Sequence, residues 1–168
     1  YEMDKDWRPI VFSESGITPS KEVVFAGYGL QTPKSEDWPE YDSYVHLEVK
    51  GKWVMVLRYL PNGWEKKRRD KFWSHAALRK KAAVVRDLGA TGIVFVTGPN
   101  AKDRKELVRF FSDSAAGISL AAVSVSDKVA KELFTAAGKD LKKTHDALDK
   151  GESSMGFPLK GVSLHAEI

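Results

Sequence analysis

The sequence predicts an α+β domain built on a mixed β-sheet flanked by helices. Three observations carry that expectation. Strand-like and helix-like patterns interleave without a repeating βα unit, which argues against a doubly wound sheet. One segment, Trp53–Leu60 (WVMVLRYL), is a nearly continuous apolar run of the kind buried on both faces of a sheet. Others, such as Val162–Ile168, alternate apolar and polar residues and have a single face to cover.

Taken in order, Ile10–Ser13 behind Pro9 is a short strand candidate, and Glu22–Leu30 (EVVFAGYGL) a stronger one, β-branched and aromatic. Gly27 and Gly29 bracket Tyr28 there, the mark of a bulge or a close backbone approach. Thr32–Tyr44 reads as a polar loop broken by Pro33 and Pro39, with Trp38, Tyr41 and Tyr44 anchoring it among acids. Val45–Val49 alternates as a half-buried strand, and Gly51-Lys52 turns the chain into the central run. A helix is expected over about Asp70–Leu88, with Trp73, Ala77, Val84 and Leu88 on its buried arc. Ile93–Val96 is a short buried strand, Asp103–Phe111 a weaker helix, and Ile118–Val125 another strand. Ser126 is an N-cap for a helix through Ala137, closed by Gly138. Leu141, Thr144 and Leu148 stripe a second short helix before the last strand.

Composition bounds the function. The 168 residues suffice for one domain with a core of its own. The chain has no cysteine, which excludes a disulfide scaffold, a thiolate metal site and a cysteine nucleophile. No apolar run approaches the ~20 residues a membrane helix needs. The net charge of +4 is unevenly spread. Between Trp64 and Arg86 nine basic residues face only Glu65 and Asp70, a balance of +7; the remainder, 18 basic to 21 acidic, carries −3. Upstream, Glu36, Asp37, Glu40 and Asp42 form an acidic patch. Both ends read as cuts within a longer protein: an unpatterned Tyr1–Arg8, and a strand running off at Ile168.

No catalytic pattern emerges from the residues. The histidines, His46, His75, His145 and His165, lack HExxH or HxH spacing, and a solvated His46, His165 and outward-facing His145 are expected. There is no GxSxG elbow; Ser119 lies in a strand, and Ser112, Ser114 and Ser153 are loop serines. Gly27-Tyr28-Gly29 lacks the third glycine of a dinucleotide fingerprint and is followed by a proline-broken loop. One binding surface is proposed by charge: Trp64, Lys66, Lys67, Arg68, Arg69 and Lys71 combine cations with a stacking ring, as a binder of single-stranded nucleic acid or another polyanion requires. The competing view, a solvated helix face and its leading loop, is favoured, because the rest of the chain is acidic.

Three segments together resemble a protease-associated domain. The first is Val23–Leu30 (VVFAGYGL), followed by Tyr41–Tyr44 (YDSY) and Val49–Leu57 (VKGKWVMVL). The second is Lys81-Ala82-Ala83 with Arg86–Ile93 (RDLGATGI). The third is Ala122–Ser126 running into Lys131–Phe134, then Leu141 and Phe157–Val162 (FPLKGV). The tail is most similar to such domains inserted in secreted di-zinc aminopeptidases of the aminopeptidase Y and glutamate carboxypeptidase type. Two features depart from the family pattern: Ala121-Ala122 replace a usual proline, and Tyr59–Arg79 is longer and more basic.

The resemblance implies a mixed-sheet sandwich or open barrel flanked by helices over residues 22–168, with residues 1–21 as a lead-in segment. It also implies a module with no catalytic, cofactor or metal residues of its own. Such a module sits beside the zinc-dependent peptidase domain of an exported parent, periplasmic or extracellular, and its partners are that domain and a peptide or protein substrate. Nucleic acid is not expected as a partner.

Overall fold

A computed structural model describes residues 1–102, 106–109, 117–151 and 156–168. In chain order the elements are β1 (Trp7–Pro9), β2 (Ile17–Phe25), β3 (Gln31–Thr32), β4 (Tyr41–Asp42), β5 (Trp53–Leu57) and α1 (Lys66–Phe72). A 3-10 turn (Trp73–Ala76) leads to α2 (Leu78–Asp87), then β6 (Gly92–Val96), β7 (Ala121–Val125), α3 (Asp127–Ala136), α4 (Leu141–Asp149) and β8 (Phe157–Glu167). Six strands form one mixed sheet in the order β1-β7-β6-β5-β2-β8, and β3 pairs with β4 in a small second sheet. The fold is the α+β class with a mixed sheet flanked by helices.

The middle of the sheet is parallel. β2, β5, β6 and β7 run side by side, with Val23 opposite Trp53, Trp53 opposite Gly92 and Gly92 opposite Ala121. β1 and β8 close the two edges antiparallel to β7 and β2. Every residue of β5, β6 and β7 is buried, because both faces are covered. Phe25, Trp53, Met55, Leu57, Val94 and Val123 pack with α3 and α4; Val24, Val54, Val56, Ile93, Phe95 and Ala122 pack with Ala82 and Val85 of α2. That two-sided covering is why β5 reads as an unbroken apolar run. Trp7 on one edge and Leu164 and Ala166 on the other border a single hollow of about 330 Å³ beside α3, so the sheet curves around that helix.

Some bounds shift: β2 runs Ile17–Phe25 and not Glu22–Leu30, β7 begins at Ala121 so that Ser119, at φ +51°, lies before the strand, and the Thr32–Tyr44 loop contributes β4. Three further elements differ for a packing reason. The first strand is Trp7–Pro9, not Ile10–Ser13; after Pro9 the chain turns, with Ser13 N–H on the Ile10 carbonyl, and Ile10 and Phe12 plug the α2-side core. Val45–Val49 forms no strand: Val45, 44% exposed, and His46, at φ +61°, lie in a turn, and residues 47–49 are irregular. Both edges of β5 are already taken by β2 and β6, so an alternating segment beside it has nothing to pair with. The helix expected over Asp70–Leu88 is broken at Ala77 (ψ 132°) into α1, the 3-10 turn and α2. α1 packs on the preceding loop, with Phe72 edge-on to Trp38 and Trp64, whereas α2 must lie along the sheet as the β5–β6 crossover. One continuous stripe cannot serve both partners. Trp73, expected in that stripe, is therefore 58% exposed.

Other expectations hold. The Ser126 hydroxyl accepts from Val129 N–H at the start of α3, and Val129, Ala130, Leu133 and Phe134 form its buried face. Gly29, at φ +61°, passes so close to Val56 Cγ1 that a Cβ would lie 2.6 Å from it, the close approach expected of that glycine. Of the helix expected over Asp103–Phe111, only residues 106–109 are described, and they are not helical; its other residues, like Ser112, Ser114 and Ser153, lie outside the described residues. Residues 1–21 supply β1 and the first five residues of β2.

Phe134 centres the aromatic cluster on the α3–α4 side of the sheet, edge-on to Phe25 at 5.0 Å and to Phe157 at 6.0 Å. Phe134→Ala is expected to lower the unfolding free energy by about 3–5 kcal/mol, measured by urea denaturation followed by circular dichroism.

Candidate functional site

The basic residues singled out by charge lie on and around α1, and the acidic patch lies against them. Lys67 Nζ pairs with Asp37 at 2.9 Å, and Trp38 Nε1–H donates to Glu65 at 3.1 Å. Both partners of the Lys67–Asp37 pair are more than half exposed, so the pair orients the loop more than it stabilises the fold. The Arg68 guanidinium covers one face of Trp64 at 3.8 Å, and Trp64 meets Tyr41 edge-on at 5.3 Å. Trp64 is thus half-buried between neighbours of its own chain, and Lys66 and Lys71 remain exposed. Arg69 turns away from α1 and donates from Nη1 to the Pro61 carbonyl at 2.8 Å.

Arg69 points toward a second, more deeply built place. At the carboxyl end of the parallel strands, the segments following β2, β5 and β6 meet the inner face of α4. Such an end is where open sheets with parallel strands hold ligands. Tyr28 comes from the first segment, Arg58, Tyr59 and Asn62 from the second, Thr97 and Asn100 from the third, and His145 and Asp149 from α4.

A relay of hydrogen bonds ties these segments together. The Tyr28 hydroxyl lies 2.9 Å from His145 Nε2 and donates to Asp149 Oδ1 at 2.5 Å. A phenol has one proton to give, so His145 must donate to the Tyr28 oxygen from Nε2–H, which fixes its neutral tautomer. His145 Nδ1 is then a bare acceptor, buried with no partner among the described residues, against Gly98. Gly98 sits at φ +84°, and a Cβ there would lie 2.7 Å from the imidazole. Asp149 also accepts from Asn62 N–H at 2.9 Å, from the Asn62 amide at 3.2 Å and from the Asn100 amide at 2.9 Å.

The electrostatics follow from burial. His145 is 2% exposed, and burial holds its pKa below the ordinary value of 6.5 despite the carboxylates of Asp149 and Asp146. Burial, and then the hydrogen bond to Asp149, push the Tyr28 phenol far upward, so it stays protonated. Burial alone would raise Asp149, but hydrogen bonds from Tyr28, Asn100 and Asn62 outweigh it and hold the carboxyl below 3.8. Lys81 is wholly buried, its Nζ donating to the Leu57 and Tyr59 carbonyls at 2.9 and 2.8 Å. Burial, and then the Arg58 charge, push its pKa well down. Tyr59 is held at φ +66°, a conformation that a bulky side chain rarely adopts.

A hollow of about 150 Å³ opens here between Tyr28, Tyr59, Arg69, Trp73 and His145. Its polar groups are mostly locked in place by bonds to one another, which suits holding a ligand better than moving protons. Among the described residues no group of three or more histidine, aspartate or glutamate side chains is arranged to hold a metal ion.

Apart from Arg69, the sequence reading singled out none of this site's residues as binding residues, and it misplaced two of them. His145, expected to face outward, is buried; its spacing from Leu141 and Leu148 puts it on the apolar stripe of α4, and that spacing was the signal. Lys81, counted among the solvated cations, stands next to Ala82 on the buried face of α2. His46 and His165 are exposed as expected. No family model and no curated protein matches the chain at a significant level.

The lowered pKa of His145 sets a pH dependence. The unfolded chain takes up a proton at 6.5 that the folded chain resists, so stability falls as the pH drops below 6.5, by at most about 1.4 kcal/mol per pH unit. His145→Gln keeps an N–H for Tyr28 but cannot titrate. Its thermal midpoint is expected to vary less between pH 6.5 and 5 than that of the parent chain.

Proposed function

We propose that this chain is a non-catalytic protease-associated module of a larger exported zinc aminopeptidase, shaping substrate access or holding a protein partner. One observation supports the reading most. The segments that carry the resemblance fall on consecutive pieces of a single frame: the end of β2, β5, α2 with β6, and β7 with α3. Most of them form the parallel centre of the sheet and the helices that cover it, while Tyr41–Tyr44 falls at β4 of the small sheet and Phe157–Val162 on the antiparallel edge strand β8. On this reading zinc and the catalytic carboxylate belong to the peptidase domain of the parent, and the basic segment around α1 is a folded face partly neutralised by its own acidic loop.

Two measurements test the reading. The purified chain with added zinc is expected to release no p-nitroaniline from leucine p-nitroanilide, and the parent gene is expected to encode HxD-type zinc ligands after Ile168. Turnover by the chain alone, in proportion to its concentration, overturns the proposal. Salt-sensitive binding of an oligothymidylate that is lost when Lys66, Lys67, Arg68 and Arg69 become alanine replaces it with the polyanion-binding alternative.

A further inference from the structure

The hollow at the carboxyl end of the parallel strands has a charge and a shape of its own. Its lining includes three cations, Arg58, Arg69 and Lys102, and no carboxylate among the described residues. The nearby carboxylate, Asp149, is already occupied by hydrogen bonds from Tyr28, Asn62 and Asn100. Arg69 spends one N–H on the Pro61 carbonyl, which anchors the guanidinium and leaves the rest of its fork for a planar anion.

Beside the polar Asn62, Thr97 and His145, the walls are apolar and aromatic. Tyr59, Leu60 and Trp73 line the hollow, and Arg58, Tyr59 and Trp73 also wall a neighbouring one of about 360 Å³ that continues over Ala76, Ala77 and Leu78. Two features there look costly unless something uses them. Tyr59 is held in a left-handed conformation by the Lys81 bond to its carbonyl, and such strain concentrates where ligands are gripped. Trp73 leaves a large ring 58% exposed at the boundary of the two hollows.

We propose that this paired hollow binds a carboxylate carried on an apolar, ring-sized body, the carboxylate against Arg69 and the body between Tyr59 and Trp73, while Arg58, which gives Nη1 to Thr97 Oγ1 at 3.0 Å, adds positive charge to the wall. The Arg69 fork can take a carboxylate bidentately, and the aromatic and apolar walls favour an acid that carries an apolar body over a bare inorganic anion. The same chemistry is offered by the end of a peptide and by a small free acid. The inference rests on the pocket and not on the accessory-module reading, so the chain by itself suffices to test it.

The probes are N-acetylphenylalanine, its uncharged amide, and N-acetyl-Ala-Ala-Phe, titrated calorimetrically into the 168-residue chain. The acid is expected to bind saturably and the amide about tenfold more weakly or worse. Arg69→Gln is expected to weaken the acid to the level of the amide while leaving the amide unchanged; Trp73→Ala, at an exposed position, weakens both alike. Tighter binding of the tripeptide than of the single residue identifies a peptide end as the source, and equal binding identifies a small free acid. The proposal is overturned by equal affinity for acid and amide in the parent chain, by no saturable binding of either, or by a preference for the acid that survives Arg69→Gln. Inorganic phosphate displacing the acid as well as unlabelled acid does would also overturn it. The comparison of acid with amide uses the unmodified chain and stands even if a variant fails to fold.

Discussion

A buried amine holds this molecule together where its layers meet. Lys81 rises from α2 into the core and gives its hydrogens to the Leu57 and Tyr59 carbonyls, just where β5 leaves the sheet. Lys81 satisfies both carbonyls, and leaving a buried carbonyl unpaired costs about 1–3 kcal/mol. Burial, and then the Arg58 charge, make the ammonium form costlier there and lower the Lys81 pKa well below 10.5. The sign of that shift matters. Because the unfolded chain holds the proton up to 10.5 and the folded chain gives it up earlier, Lys81 adds stability as the pH rises toward 10.5. The same clamp turns Tyr59 into its left-handed conformation and so sets the wall of the hollow.

Charge in this chain is organised by position and not by total. The window from Trp64 to Arg86 carries +7 in the sequence, but the fold sends its members to three different destinations. Lys67 meets the acidic loop, Arg69 looks toward the hollow, and Lys81 sinks into the core. A patch computed along the chain is therefore not a patch in space.

The sheet was legible in the sequence wherever burial is two-sided or alternation has a partner. Trp53–Leu57, Ile93–Val96 and Val162–Glu167 came out as strands because their neighbours reward those patterns. Val45–Val49 shows the limit: alternation states which residues want cover, but not whether a strand edge stands free to pair. The break at Ala77 was hidden because Phe72, Ala76, Ala82 and Val85 all suit helices, and only their separate partners force the chain to change direction. The carboxyl-end site was half visible. Gly27 and Gly29 advertised a close approach around Tyr28, but His145 and Asp149 arrive from more than a hundred residues away. Nothing local to either side announces that meeting.

The break at Ala77 also divides the site mechanically. The floor of the hollow belongs to the sheet: Lys81, the ends of β5 and β6, and the inner face of α4, all joined by buried bonds. The rim belongs to α1 and the turn carrying Trp73, which answer to the acidic loop through Phe72, Trp38 and an exposed ion pair. Salt screens that ion pair and leaves the buried bonds nearly untouched. The seat is thus held by buried bonds, and the edge in part by a contact that salt screens. Ionic strength, or a partner that competes for the loop, loosens the edge without loosening the seat.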